Sequence, residues 1–171
     1  THISSVSRIS SVNILSRGNK QTLVYQPANN LNDDYITRAE RYLDAIRSNL
    51  LFAKGVVLVE GDAEQILIPQ MFKIVFGISL DEIGVSLVNI GSTGFKNVAR
   101  LFHKDRIQKN CAILTDLDAS IVNLPVDETD DSAYKKHCRA SQISGAERKI
   151  QLDEFCNENN FLTPFYSDYT F

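Results

Sequence analysis

From residue 56 onward, apolar residues come in short continuous runs separated by segments with helical spacing. Val56-Val57-Leu58-Val59 stops at Glu60-Gly61 and Ala112-Ile113-Leu114 stops at Thr115-Asp116-Leu117-Asp118, and between them residues 85–90, which include Ser86 and Asn89, read as a further strand. A run that is apolar at every position reads as a strand buried on both faces, as in a parallel sheet. Between the runs, residues 62–76 stop at Gly77, and residues 95–106 follow the turn Gly91-Ser92-Thr93-Gly94. Both segments read as helices. Residues 146–157 predict a last helix and Phe161-Leu162 a fourth strand, whereas residues 127–144 are polar and weakly periodic, a loop or short helix. Strand and helix in alternation predict an α/β fold, a parallel sheet of about four strands with right-handed crossovers.

The first third of the chain has a different pattern. Tyr35, Ala39, Tyr42, Leu43, Ile46 and Leu50 fall at three- and four-residue steps, which predicts one helix over residues 33–52, capped by Asp33 or Asp34. Before it, residues 12–15 and 22–25 read as two strands around Arg17-Gly18-Asn19-Lys20, a hairpin. Pro27 and residues 29–32 read as a linker. An isolated hairpin is marginal in water, so this one is expected to belong to a sheet whose other strands lie elsewhere. The chain also begins at Thr1 without a methionine. The expectation is a piece of a larger protein.

Composition adds bounds rather than detail. A chain of 171 residues, 43% hydrophobic and 23% charged, suits one globular domain with a real core. No apolar run approaches the roughly 20 residues that span a bilayer, so no membrane is expected. No secretory pattern opens the chain, which makes the cytoplasm the default location. Cys111, Cys138 and Cys156 are odd in number and lack metal-ligand spacing, consistent with reduced thiols. The net charge of −3 speaks against a broad electrostatic footprint for nucleic acid and leaves room for a local one.

The chemistry is concentrated where the strands end. Ligands of parallel sheets bind beyond the carboxyl ends of the strands, which places Glu60, Asp116 and Asp118 on one edge. Asp116 and Asp118 share a face in extended backbone, because side chains alternate. Clustered carboxylates stay ionised only with positive charge among them, and a hard divalent cation is the usual source. The plain alternative is a turn in which the aspartates cap the next loop. Glu64, one turn into the following helix, reads either as a further ligand or as a first-turn carboxylate favouring the helix dipole. Asp62 with Gln65 fits a capping box. Ser92, Thr93 and Gly94 either offer backbone N–H groups to a phosphate or form an ordinary turn. Lys96, Arg100 and Lys104 recur every four residues, which on a helix gives one basic face, either solvated or in contact with a nucleic-acid backbone.

In combination these strings resemble the Toprim domain. The carriers are Leu58-Val59-Glu60-Gly61-Asp62-Ala63-Glu64, Ile90-Gly91-Ser92-Thr93-Gly94-Phe95 and Thr115-Asp116-Leu117-Asp118. Within the Toprim proteins they are closest to the OLD (overcoming lysogenization defect) nucleases, and similar to the nuclease subunit of the Gabija anti-phage system. The resemblance implies a metal-dependent DNA endonuclease that cleaves double-stranded DNA by two-metal phosphodiester hydrolysis. It makes Glu60, Asp116 and Asp118 catalytic, and Glu60, Glu64, Asp116 and Asp118 ligands of Mg2+ or Mn2+. It further implies a homo-oligomer with a helicase-like partner subunit. Thr1-His2-Ile3-Ser4 is similar to the segment that ends ABC-type ATPase domains, where the histidine senses the γ-phosphate. Residues 1–32 would then be the end of an ATPase domain, with His2 as the nucleotide sensor, and residues 33–171 a Toprim domain cut short at its C-terminus. Two other readings stay open: a Toprim domain of the topoisomerase or primase type, which would need a tyrosine such as Tyr166 or Tyr169 as nucleophile, and a catalytically incomplete assembly module.

Overall fold

The computed structural model describes residues 8–43, 47–91, 94–117 and 132–167. Its centre is a sheet of four parallel strands: β3 (Gly55–Val59), β4 (Val85–Asn89), β5 (Cys111–Asp116) and β6 (Leu162–Ser167), in the order β4-β3-β5-β6. The expected parallel α/β sheet is therefore present. Its two inner strands carry the apolar runs, and Leu58, Val59 and Ile113 are fully buried. Pro164 lies in β6, an edge strand, where its missing N–H costs no ladder bond to a further strand. Register sets Leu58 opposite Ile113 and Asp116 opposite Ser167, so β3 and β5 end side by side.

The hairpin forms from β1 (Ile14–Arg17) and β2 (Thr22–Tyr25), paired antiparallel and closed by Gly18 N–H donating to the Gln21 carbonyl at 2.9 Å. It is not detached. Ile9, Ile14, Tyr25 and Ala28 are buried in the same apolar cluster as the sheet residues. Pro27 is buried as well, so the expected linker is a packed turn.

Four expectations about helices need correction. Helix α1 runs over Asp33–Tyr42 and ends at Leu43, and a 3₁₀ turn follows at Arg47–Leu51, instead of one helix over 33–52. Leu43, Leu50 and Leu51 are all buried, and adjacent Leu50 and Leu51 cannot both lie on one narrow helical stripe. The cap of α1 is Asn32, whose side chain accepts from Tyr35 N–H, not Asp33 or Asp34. After α2 (Asp62–Phe76) and the short α3 (Leu80–Ile83), the helix expected over 95–106 is only α4, Lys96–Ala99. Past Ala99 the backbone tightens and turns back: Leu101 and Phe102 N–H donate three residues back, to the Val98 and Ala99 carbonyls, and Ile107 N–H donates to the Leu101 carbonyl beside a Phe102–Ile107 bridge. Last, α5 is one helix from Ala133 to Asn157, where a loop and a shorter helix were expected. Among the described residues no helix is long and apolar enough to cross a membrane.

Candidate metal centre

Glu60 follows β3 and Asp116 ends β5. The adjacency of the two strands converts a separation in sequence into a shared site. Between them stands Thr115, fully buried, whose hydroxyl donates to Glu60 Oε2 at 3.0 Å. A fourth residue completes the cluster, and the sequence reading did not anticipate it. Arg148 Nη1 donates to the Asp116 carbonyl at 2.9 Å and to Thr115 Oγ1 at 3.2 Å. The same nitrogen lies 3.5 Å from Asp116 Oδ1 and 3.6 Å from Glu60 Oε2. Four oxygen atoms thus converge on one positive centre, and the Arg148 and Asp116 side chains keep only 15% and 11% of their exposure.

Arg148 reaches the site because α5 passes unusually close to the end of β5. A Cβ on Gly145 would lie 2.0 Å from the Leu117 carbonyl oxygen, so only glycine permits the approach. Gly145, Arg148, Leu152 and Cys156 recur at three- and four-residue steps, and all but Arg148 are buried. A lone arginine on the apolar stripe of a helix was the signal available in the sequence. The polar setting of Ser144-Gly145 hid it by reading as a break.

The other predicted residues divide. Glu64 is 7% exposed, and its Oε2 accepts from Gly61 N–H at 3.1 Å, so it closes the cap of α2. Gly61 is the N-cap, and Glu64 supplies only the returning half of a capping box, while Asp62 is the first residue of the helix and not its cap. Asp62 instead accepts from Asn89 Nδ2 at 2.7 Å, and Asn89 Oδ1 accepts from Gly91 N–H at 2.6 Å. These bonds tie the start of α2 to the turn after β4. Among the described residues, no three His, Cys, Asp or Glu side chains are grouped to hold a metal ion. Asp118, Ser92, Thr93, His2 and Tyr169 lie outside the described residues.

The basic face expected of Lys96, Arg100 and Lys104 does not exist as a helical face, because α4 stops at Ala99. Arg100 turns inward, its guanidinium 3.9 Å from the centre of the Tyr35 ring and 5.4 Å from that of Phe155. Lys104 is exposed in the turns that follow. Lys96 meets the same Phe155 ring, its ammonium 5.6 Å from the ring centre. With Gly94, Ser144, Glu147, Arg148, Gln151 and Leu152 it lines a cavity of about 280 Å³. Arg148 is common to this cavity and the carboxylate cluster.

The Tyr166 hydroxyl is engaged with α5: it donates to Asp153 Oδ1 at 2.6 Å, and burial followed by this hydrogen bond raises its pKa above the ordinary tyrosine value.

Residues 51–118 match the TOPRIM domain of overcoming lysogenization defect protein-like proteins. The matched OLD-like segment contains Glu60, Glu64, Gly94, Lys96, Asp116 and Asp118 and stops short of Arg148. Among solved structures, the C-terminal region of the Burkholderia pseudomallei OLD protein is 28% identical, with 70% of this chain and 57% of that one covered and a TM-score of 0.43. The corresponding region of the Xanthomonas campestris pv. campestris OLD protein is 23% identical, with 72% and 54% covered and a TM-score of 0.42. The chain thus spans a little over half the length of these structures. No curated protein matches it.

Proposed function

We propose that the chain carries part of the catalytic centre of a metal-dependent DNA endonuclease, with Glu60 and Asp116 as cation ligands. One observation carries the reading: four oxygens from Glu60, Thr115 and Asp116 converge on the single cationic nitrogen of Arg148. An all-oxygen set containing two carboxylates suits a hard cation such as Mg2+ or Mn2+. The match of residues 51–118 to an OLD-like TOPRIM domain supports the same chemistry.

When bound, a divalent cation supplies electrophilic stabilisation of charge on phosphoryl oxygens and lowers the pKa of water. The chain's own residues hold the ligands. The Thr115 hydroxyl fixes one oxygen of Glu60, and the ladder between β5 and β6 fixes the backbone at Asp116. Asp118 is the natural further ligand, two residues on from Asp116. Glu64 has one oxygen committed to the Gly61 N–H and contributes through the other. The adjoining cavity, with Lys96 and Gly94 in its wall, receives the phosphate backbone of double-stranded DNA. Within this reading, His2 belongs to an ATPase domain that governs cleavage. The setting is cytoplasmic anti-phage defence by a homo-oligomer with a helicase-like partner, as in Gabija systems.

Asp116→Asn keeps the shape and removes the charge. In the full-length protein it should lower Mg2+- or Mn2+-dependent cleavage of plasmid DNA by at least about a hundredfold, the scale of losing a group that stabilises transition-state charge. Undiminished cleavage by a folded Asp116→Asn protein would refute the assignment.

A further inference from the structure

Two carboxylates side by side beneath a half-buried surface need a counter-charge whether or not a cation is bound. Here the chain supplies one. Arg148 Nη1 sits within 3.6 Å of both Glu60 Oε2 and Asp116 Oδ1 and closer still to two neutral oxygens. These are the atoms that would face a divalent cation. Two cationic centres within one such shell repel each other strongly where water is scarce.

We infer that Arg148 is a built-in counter-ion seated in the cation position, and that a divalent cation and the Arg148 contacts exclude each other. The inference rests on the proposed cation site. Arg148 has somewhere to go, because it also lines the cavity of about 280 Å³ that holds Lys96. There, a released guanidinium and the Lys96 ammonium together suit a phosphate group, which an arginine fork binds through two parallel hydrogen bonds. Cation binding would in this way prepare the anion-binding wall of the site. In the absence of cation the same residue holds the ends of β3 and β5 together through its contacts with Glu60 and Asp116.

The test is Mn2+ binding by calorimetry, with no cleavage involved. Arg148→Gln removes the competitor, and its Mn2+ affinity should exceed that of the wild type by at least about tenfold, the effect of roughly one pKa-unit equivalent of relieved repulsion. Arg148→Lys keeps a charge on a different stem and should fall between them. In the wild type, Mg2+ titration should shift the Arg148 side-chain NMR signal in step with binding, a readout that holds even if the variants fold poorly. Equal or weaker Mn2+ affinity in Arg148→Gln, while Asp116→Asn abolishes binding, would overturn the inference and leave the cation site standing. A stationary Arg148 signal during Mg2+ binding would do the same. No binding of Mn2+ to wild type or to Arg148→Gln would remove the cation site itself.

Discussion

Thr115 shows how a single position can serve the core and the site at once. It is fully buried in β5, yet its hydroxyl bonds both Glu60 and Arg148, so no polar atom is stranded. The thiols show the opposite case, burial without function. Cys111 is 1% exposed, and burial pushes its pKa far up; Cys156 is 5% exposed and is pushed up to about 11 by burial and by the charge of Asp153. Cys138 is half-buried on α5. Brief treatment with iodoacetamide near neutral pH should therefore modify Cys138 first, and Cys111 and Cys156 only on unfolding, as read by mass spectrometry. Early labelling of Cys111 would contradict its burial. An unfolded thiol ionises from its ordinary value of 9.0, whereas the buried ones resist. This source of stability is complete below pH 9 and declines above it, through about 11 for Cys156.

Helices are positioned by their exceptions. In α5 the exception is Gly145, which allows the helix backbone to pass against the Leu117 carbonyl. Glycine inside a helix ordinarily costs about 1 kcal/mol relative to alanine. Gly145→Ala would therefore stabilise a helix that only propensity governed. The contact predicts the reverse: destabilisation by about 1–3 kcal/mol as α5 is forced off β5. Urea denaturation distinguishes the two signs. The same displacement should weaken the Arg148 contacts, because Arg148 lies one turn further along the same stripe. In α2 the exception is Glu64, its one buried residue, which closes the helix onto Gly61 directly after Glu60. That cap holds the end of β3 and the start of α2 in a fixed relation at the site.

At the scale of the whole molecule, one apolar cluster joins the hairpin, α1 and the sheet, while α2 stands largely outside it. Ile66, Ile74, Val75 and Phe76 on α2 are 67%, 83%, 70% and 64% exposed. At its start the Asp62–Asn89 bond ties it to the end of β4, while the Glu64 cap and the left-handed Gly77 stop define its two ends. Ile74→Lys should leave the unfolding free energy of the chain within about 0.5 kcal/mol of wild type, as measured by denaturant titration. A loss of 2 kcal/mol or more would show that this face is covered in solution. The carboxylate cluster sits at the other extreme, where β3, β5 and α5 meet, and a shift of any one of them disperses it.

The apolar runs at 56–59 and 112–114 and their carboxylate endings were legible because strand period and strand length are local properties. A parallel sheet followed from their alternation with helices, and Glu60 and Asp116 at one edge followed from parallelism. What local pattern did not carry was every feature that depends on which surfaces meet. The helix expected over 95–106 yields to a chain reversal that bridges Phe102 and Ile107, the break expected near Gly145 is a close approach, and the lysine–arginine face dissolves when Arg100 turns onto Tyr35. Arg148 belongs to this second group. By itself the sequence determined where the carboxylates end their strands, since that needs only the backbone period. Tertiary structure alone decided what stands between them, because a charge on a distant helix becomes their partner only when that helix packs against the strand end.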